Sequence, residues 1–574
     1  HTAVTILTKN GLSYSRIGIP VDKFSKLEDA EVKVYNELGL LVNRYKKKDF
    51  ELEGMFSDAT LASDDKVYRL TPAVPGYPCT IETSYQVHYT GYIDIPAWFF
   101  GSTTTSVETS RFLLKVFNSL HIEHKSYNNA PKPVVQTEGN YTSYVWEVKQ
   151  QPVPYSEPNT YGPYVHMPWI DVTPREFSFD GFPGSLRSWN EFGQWSYPFY
   201  QETLPFTTER LNYLATVLQG ATSTREKVSR LHQLLQQETR YVSIQFGIGG
   251  FKPFPLQFVE AKKYGDCKAL THYMKALLQA FDIPSYPALI NAGSKQYPVD
   301  PQFTSNKFNH VILCVPLKED TMWLECTAKK NYPGFLGTFT ENRYALLITE
   351  NGGKLVPTPK SKATDNQWRS HTEVKIDEDG SGLVHMKAFA SGEIKDWFYS
   401  VSEGRSKDAI KQFVVEVLNF KAPDDLELKF TGSEDDGIRI NLRLLYNNYF
   451  DFKAGSKHFL PLRPFRLNDE TIEPAEKRKF DYLFDFPFEK TDTTVLRLPA
   501  IFQPESLPAL QRLKHDAVDF QNEWQQLSDG VQLVTRYTLR QHHLPAARYN
   551  EVAQMFEKIR KDEQQKLVLK KMQP

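Results

Sequence analysis

Between about residues 205 and 285, the apolar pattern of this 574-residue chain changes period. Upstream, Tyr85-Gln86-Val87-His88-Tyr89 and the run from Thr142 to Val148 alternate every second residue, as half-buried strands do. Then Ser223-Thr224-Arg225-Glu226 opens a helix in S-x-x-E form, with Val228, Leu231 and Leu235 on one face. A second helix starts near Cys267 and carries Leu270, Met274, Leu277 and Phe281 as one stripe, with Pro284 to stop it. Strands are expected after it at Tyr286 to Ile290, Phe308 to Val315, Met322 to Thr327 and Tyr344 to Thr349. A helix pair followed by antiparallel strands is an α+β pattern. From about residue 368 alternation returns, with hairpins around Asp379-Gly380 and between Leu426 and Leu444. Helices are expected from Ser406 to Phe420 and around Val552, Phe556 and Ile559.

The length fits about three or four domains. The division read here is a β-rich part over 1–204, an α+β core over 205–360 and a second β-rich part with a terminal helix over 361–574. The Pro- and Trp-rich stretch from Pro152 to Pro205 reads as an irregular connector packed between domains; an exposed aromatic platform for carbohydrate is the other reading. Lys plus Arg number 68 and Asp plus Glu 69, which argues against a nucleic-acid partner. No run of 18 apolar residues is present, so no transmembrane helix is expected. The chain begins with His1 rather than Met, which reads as an upstream segment removed.

Four cysteines, Cys79, Cys267, Cys314 and Cys326, exclude a disulfide-dense framework. Cys314 and Cys326 sit on neighbouring expected strands, where they pair if oxidised, though buried free thiols are the expected state. Their spacing lacks the paired motif of a zinc site, and His542-His543 point apart on a strand, so neither a metal nor a cofactor is expected. Gly247, Gly249 and Gly250 form a loop but no dinucleotide fingerprint, because Phe251-Lys252-Pro253-Phe254-Pro255 opens no helix.

Cys267, in Tyr264-Gly265-Asp266-Cys267-Lys268, stands out. A helix N-terminus and an adjacent lysine both favour thiolate. Downstream, His310 shares a strand face with Ile312 and Cys314, while Glu325 shares one with Trp323 and Thr327. If those strands are neighbours, Glu325 reaches the His310 ring. Each residue alone reads as ordinary core or surface.

Together they resemble the transglutaminase-like superfamily. Arg240-Tyr241-Val242-Ser243-Ile244, the glycine loop, Lys263 to Lys268, Phe308-Asn309-His310 and Trp323-Leu324-Glu325-Cys326-Thr327 are similar to a bacterial branch common in Bacteroidetes. That resemblance implies a multidomain α+β chain, with a papain/transglutaminase-like core between two β-sandwich-like domains. It implies Cys267 as nucleophile, His310 as general base and acid, and Glu325 as the residue that orients the imidazole. The Cys267 N–H gives one oxyanion donor, and Gln245 or Tyr241 the second. Where the family has Asp-Pro-Thr and Cys-Lys-Asp-Lys, this chain has Glu325-Cys326-Thr327 and Cys267-Lys268-Ala269-Leu270. The implied function is a peptidase or amidase acting on a peptide or protein substrate, secreted or periplasmic after signal-peptide removal. The alternative is a catalytically weak or inactive transglutaminase-like scaffold or binding protein at the cell envelope.

Overall fold

The computed structural model describes residues 1–55, 60–245, 247–402, 406–431, 437–467 and 472–572. Its centre is a five-stranded antiparallel sheet in the order Thr321–Leu324, His310–Pro316, Tyr286–Ile290, Tyr344–Thr349, Gly352–Pro357. The alternation on the His310 strand divides its neighbours cleanly. Leu313 and Val315 pack with Met322, Leu324 and Cys326 under helices Thr224–Glu238 and Cys267–Gln279. Ile312 and Cys314 pack with Ala288, Trp323 and Leu336 on the opposite face. Both faces are therefore dry, and the strand is buried from His310 to Val315.

The two expected helices form for the expected reasons. Ser223 accepts from the Glu226 N–H at 3.2 Å, and Glu226 reaches back to the Thr222 N–H at 2.6 Å. Leu270, Met274 and Leu277 are all buried in the shared core, as their stripe requires.

The stretch from Pro152 to Pro205 differs from the irregular connector expected. It contains strand Trp169–Pro174, the hairpin Glu176–Phe179 with Phe182–Ser185, and helix Trp189–Ser196. The strand escapes alternation because all six of its residues are buried. The helix packs so closely on the edge of the central sheet that a Cβ on Gly193 would lie 2.0 Å from the Gly353 nitrogen. Trp169 and Trp195 are buried, so the stretch is a packed layer rather than an exposed platform.

Upstream, Thr2–Ile6, Cys79–Tyr89, Ser25–Tyr35 and Leu41–Lys46 form one antiparallel sheet, and Val107–Phe117, Tyr141–Gln151 and Val134–Glu138 another. Downstream, an eight-stranded sheet takes both expected hairpins. Its Gln367–Ile376 and Phe488–Arg497 strands pair in parallel. The acidic loop of the second hairpin, residues 432–436, lies outside the described residues. Helix Tyr549–Glu563 buries Val552, Phe556 and Ile559 against this sheet. No helix of the described residues is long and apolar enough to cross a membrane.

Candidate active site

Cys267 is the first residue of its helix, and Asp266 caps it by accepting from the Ala269 N–H at 3.0 Å. Asp266 also takes Lys268 Nζ at 2.7 Å, with both side chains almost wholly buried. An ammonium is thus locked within the first helical turn, beside the thiol and the free N–H groups of the helix end.

His310 opens the neighbouring strand, and Asn309 braces the approach. Its side chain accepts from Ala292 N at 2.6 Å and donates to Ala292 O at 3.0 Å, extending the pairing past Ile290. Thr271 Oγ1 donates to Val311 O at 3.2 Å and ties the cysteine helix to this strand. His310 Nε2 lies 2.9 and 3.1 Å from the two Glu325 oxygens, and the Cys267 thiol is close enough for the ring to act on its charge. Nε2 is committed to the carboxylate, so Nδ1 is the ring nitrogen that remains for another partner.

Glu325 departs from the expected strand, which ends at Leu324 rather than Thr327. Its Oε1 accepts from Thr327 N at 3.0 Å and Thr327 Oγ1 at 2.5 Å, so the turn after the strand fixes the carboxylate that faces His310.

The electrostatics agree with this geometry. Burial works against the Cys267 thiolate, but Lys268 and His310 outweigh it and hold the thiol below its ordinary range. Burial likewise opposes the His310 cation, yet Glu325 and then the Cys267 thiolate raise its pKa from 6.5 to about 10. Glu325 is pushed up by burial and pulled down further by His310 and Thr327. The group holds a soft nucleophile and a proton donor side by side, which is the layout needed to attack a carbonyl and protonate a leaving group.

The two expected oxyanion donors fare differently. Tyr241 is half-buried, and its pKa is raised by burial and by the nearby Cys267 charge. Gln245 ends a short strand, Ser243–Gln245, that pairs in parallel with Thr60–Ser63, but its side chain lies outside the described residues. Cys314 and Cys326 occupy opposite faces of the sheet, and both are the buried free thiols expected. Burial raises Cys314 to about 12 and lifts Cys326 further.

Two nearby residues had no signal in the sequence. The Tyr200 hydroxyl is wholly buried within electrostatic reach of Cys267 and has no hydrogen-bond partner among the described residues. His232, also wholly buried, bonds the Glu325 main chain. Cys267 itself is 5% exposed and His310 9%, and Cys267 belongs to a buried apolar cluster that includes Ile93, Phe177, Phe192 and Trp195.

Residues 1–155 match a family model described as a domain of unknown function with solved structure, DUF3857, and residues 456–569 match a second such domain, DUF3858. No curated protein matches. The chain is similar in fold to a candidate protease from Parabacteroides distasonis, at TM-score 0.65 and 12% identity over 99% of this chain and 94% of that one. A candidate cysteine protease from Cytophaga hutchinsonii gives TM-score 0.18 at 8% identity, over 54% of this chain and 79% of that one. The periplasmic domain of TgpA from Pseudomonas aeruginosa gives 0.17 at 10% identity, over 57% and 93%. Those last two scores carry no argument about fold. The full-length likeness shows that all the sheets, flanking and central, belong to one shared architecture.

Proposed function

We propose that this chain is a cysteine-dependent acyl-transfer enzyme of the transglutaminase-like kind, a peptidase or amidase acting on peptide or isopeptide bonds. The observation that carries the proposal is the buried, hydrogen-bonded His310–Glu325 pair with the helix-start thiol of Cys267 within its electrostatic reach. The papain/transglutaminase-like core would span 205–360, between β-sandwich-like flanks over 1–204 and 361–574, in an extracytoplasmic protein.

In this mechanism the Cys267 thiolate adds to the amide carbonyl and forms a C–S bond. The carbonyl electron pair moves to oxygen, which the helix-end N–H of Cys267 receives with Tyr241 or Gln245 as the second donor. Each such donor is worth ~10²–10³ in rate. The C–N bond then breaks as the His310 imidazolium gives its proton to the departing amine. Water, deprotonated by the now neutral His310, attacks the thioester and releases the acid and the thiolate. Glu325 keeps the ring oriented and stabilises its cationic form throughout.

A second reading, a scaffold without turnover, is favoured by one observation: Cys267 is only 5% exposed. Peptide hydrolysis and amine incorporation by wild type and Cys267→Ala separate the two. The enzyme reading expects turnover in wild type, its loss in the variant, and iodoacetamide alkylation of Cys267 ahead of Cys314 and Cys326. Turnover that survives Cys267→Ala, or equal alkylation of the three thiols, would end it.

A further inference from the structure

We propose that His232 is a positioning residue that holds the main chain at Glu325, so that the carboxylate meets His310. This inference rests on the Cys267–His310–Glu325 reading above. Glu325 lies one residue beyond Leu324, the last residue of its strand to pair, with Leu313. No ladder bond therefore fixes it, and something else must.

Helix Thr224–Glu238 supplies the clamp. His232 Nε2 lies 3.0 Å from Glu325 O. A carbonyl only accepts, so Nε2 carries the hydrogen. One turn on, Gln236 Nε2 donates to Ala328 O at 2.9 Å and to Asn331 O at 2.8 Å. Residues i and i+4 of one helix thus grip the chain where it leaves the sheet. Thr327 grips the far end of the same side chain through Oε1. Glutamate has one more rotatable bond than aspartate, so fixing both its carbonyl and its carboxylate removes the freedom that would let it swing off the imidazole.

Packing alone does not account for a histidine here. The side chain is wholly buried, and its Nδ1 has no partner among the described residues. An apolar residue of similar size would fill the space without stranding a nitrogen. The bond to Glu325 is what a histidine adds. Burial, the largest influence on its pKa, keeps His232 below the ordinary range and neutral; Glu325 is the charged group that acts on it.

The test follows the pH dependence of Cys267 alkylation by iodoacetamide, which reads the thiolate–imidazolium pair without needing a substrate. Glu325→Gln should move the thiolate midpoint up by about one pH unit. His232→Leu should move it part of that way, and the double variant should match Glu325→Gln alone. His232→Gln, whose amide nitrogen reaches as far as imidazole Nε2, should titrate as wild type. A folded His232→Leu protein with the wild-type midpoint, or a shift that adds in full to that of Glu325→Gln, overturns the clamp and leaves the triad standing. If Glu325→Gln also titrates as wild type, the triad fails and the clamp fails with it. Should His232→Leu not fold, His232→Gln against the shorter His232→Asn decides. Only the asparagine variant should shift, and equal midpoints refute the proposal.

Discussion

Lys268 is the sharpest place to perturb the electrostatics of the site. Its ammonium lies 2.7 Å from Asp266, with side chains 4% and 1% exposed. It stands first among the influences that lower the Cys267 pKa against burial. Lys268→Met removes that cation at nearly constant volume and strands a buried carboxylate. Breaking a buried pair from one side costs about 3–5 kcal/mol. Asn caps a helix about as well as Asp, so adding Asp266→Asn keeps the bond to Ala269 while removing the stranded charge. The double variant should therefore recover about 2 kcal/mol or more of the loss, as replaced buried pairs often do. In Lys268→Met the Cys267 midpoint should rise by about one unit or more, because a nearby opposite charge shifts a pKa by ~1–3 units; in the double variant it should rise less, because the Asp266 charge that raises the thiol is gone as well. Stability is read by native-state hydrogen exchange of the Cys267–Gln279 helix, since a chain of this size does not unfold as one unit. The thiol is read by its alkylation profile. If Lys268→Met exchanges and alkylates like wild type, the pair is neither dry nor the source of the thiolate, and the reasoning is refuted.

Two further predictions concern pH and packing. The active ion pair exists above the lowered Cys267 pKa and below the raised one of His310, so turnover should rise below the ordinary thiol range and fall as pH passes about 10. The sign for stability agrees: His310 stabilises the fold fully below its unfolded value near 6.5 and loses that contribution as pH rises through about 10, whereas Glu325 contributes above its unfolded value near 4.5 and loses it as pH falls through its lowered one. A basic limb in the ordinary imidazole range near 6.5 would contradict the His310 assignment, and an acid limb at or above the ordinary thiol value of 9.0 that of Cys267. Gly193→Ala should destabilise the packing of helix Trp189–Ser196 on the sheet by about 1–3 kcal/mol, because its Cβ meets the Gly353 backbone, which cannot rotate away. Unchanged protease resistance between residues 176 and 200 would count against it.

The elements legible in the sequence were those whose cause is local. The cap at Ser223, the stripe through Leu270, Met274 and Leu277, and the alternation from Val374 to Val384 each declare themselves within a few residues, and each is present. Trp169–Pro174 did not, because burial on both faces erases alternation. His232 sits beside Leu231 on an apolar helix face, where a core histidine and a clamp look alike until the partner 93 residues away is in place. Lys268 read as a cation near the thiol, but its burial against Asp266 is a property of the folded chain that the local sequence does not declare.

Glu325 shows most clearly how a pattern can point to a contact through incomplete geometry. The register pairs Cys314 with Trp323 and Leu313 with Leu324; continued by one step, it sets Glu325 opposite Ile312 and diagonal to His310. Diagonal neighbours in an antiparallel pair lie ~7–8 Å apart, too far for a short acid but within reach of a long one. The strand instead ends at Leu324, and the chain turns so that Thr327 and His232 hold Glu325 from either side. The 2.9 Å contact with His310 therefore comes from the side chain's length and the turn together. Alternation gave the face, but the distance needed two residues that alternation does not weigh. On this account Glu325→Asp should orient His310 worse than glutamate does unless the turn shifts with it. A Cys267 alkylation profile in Glu325→Asp identical to wild type would show that the turn, and not the extra methylene, sets the reach.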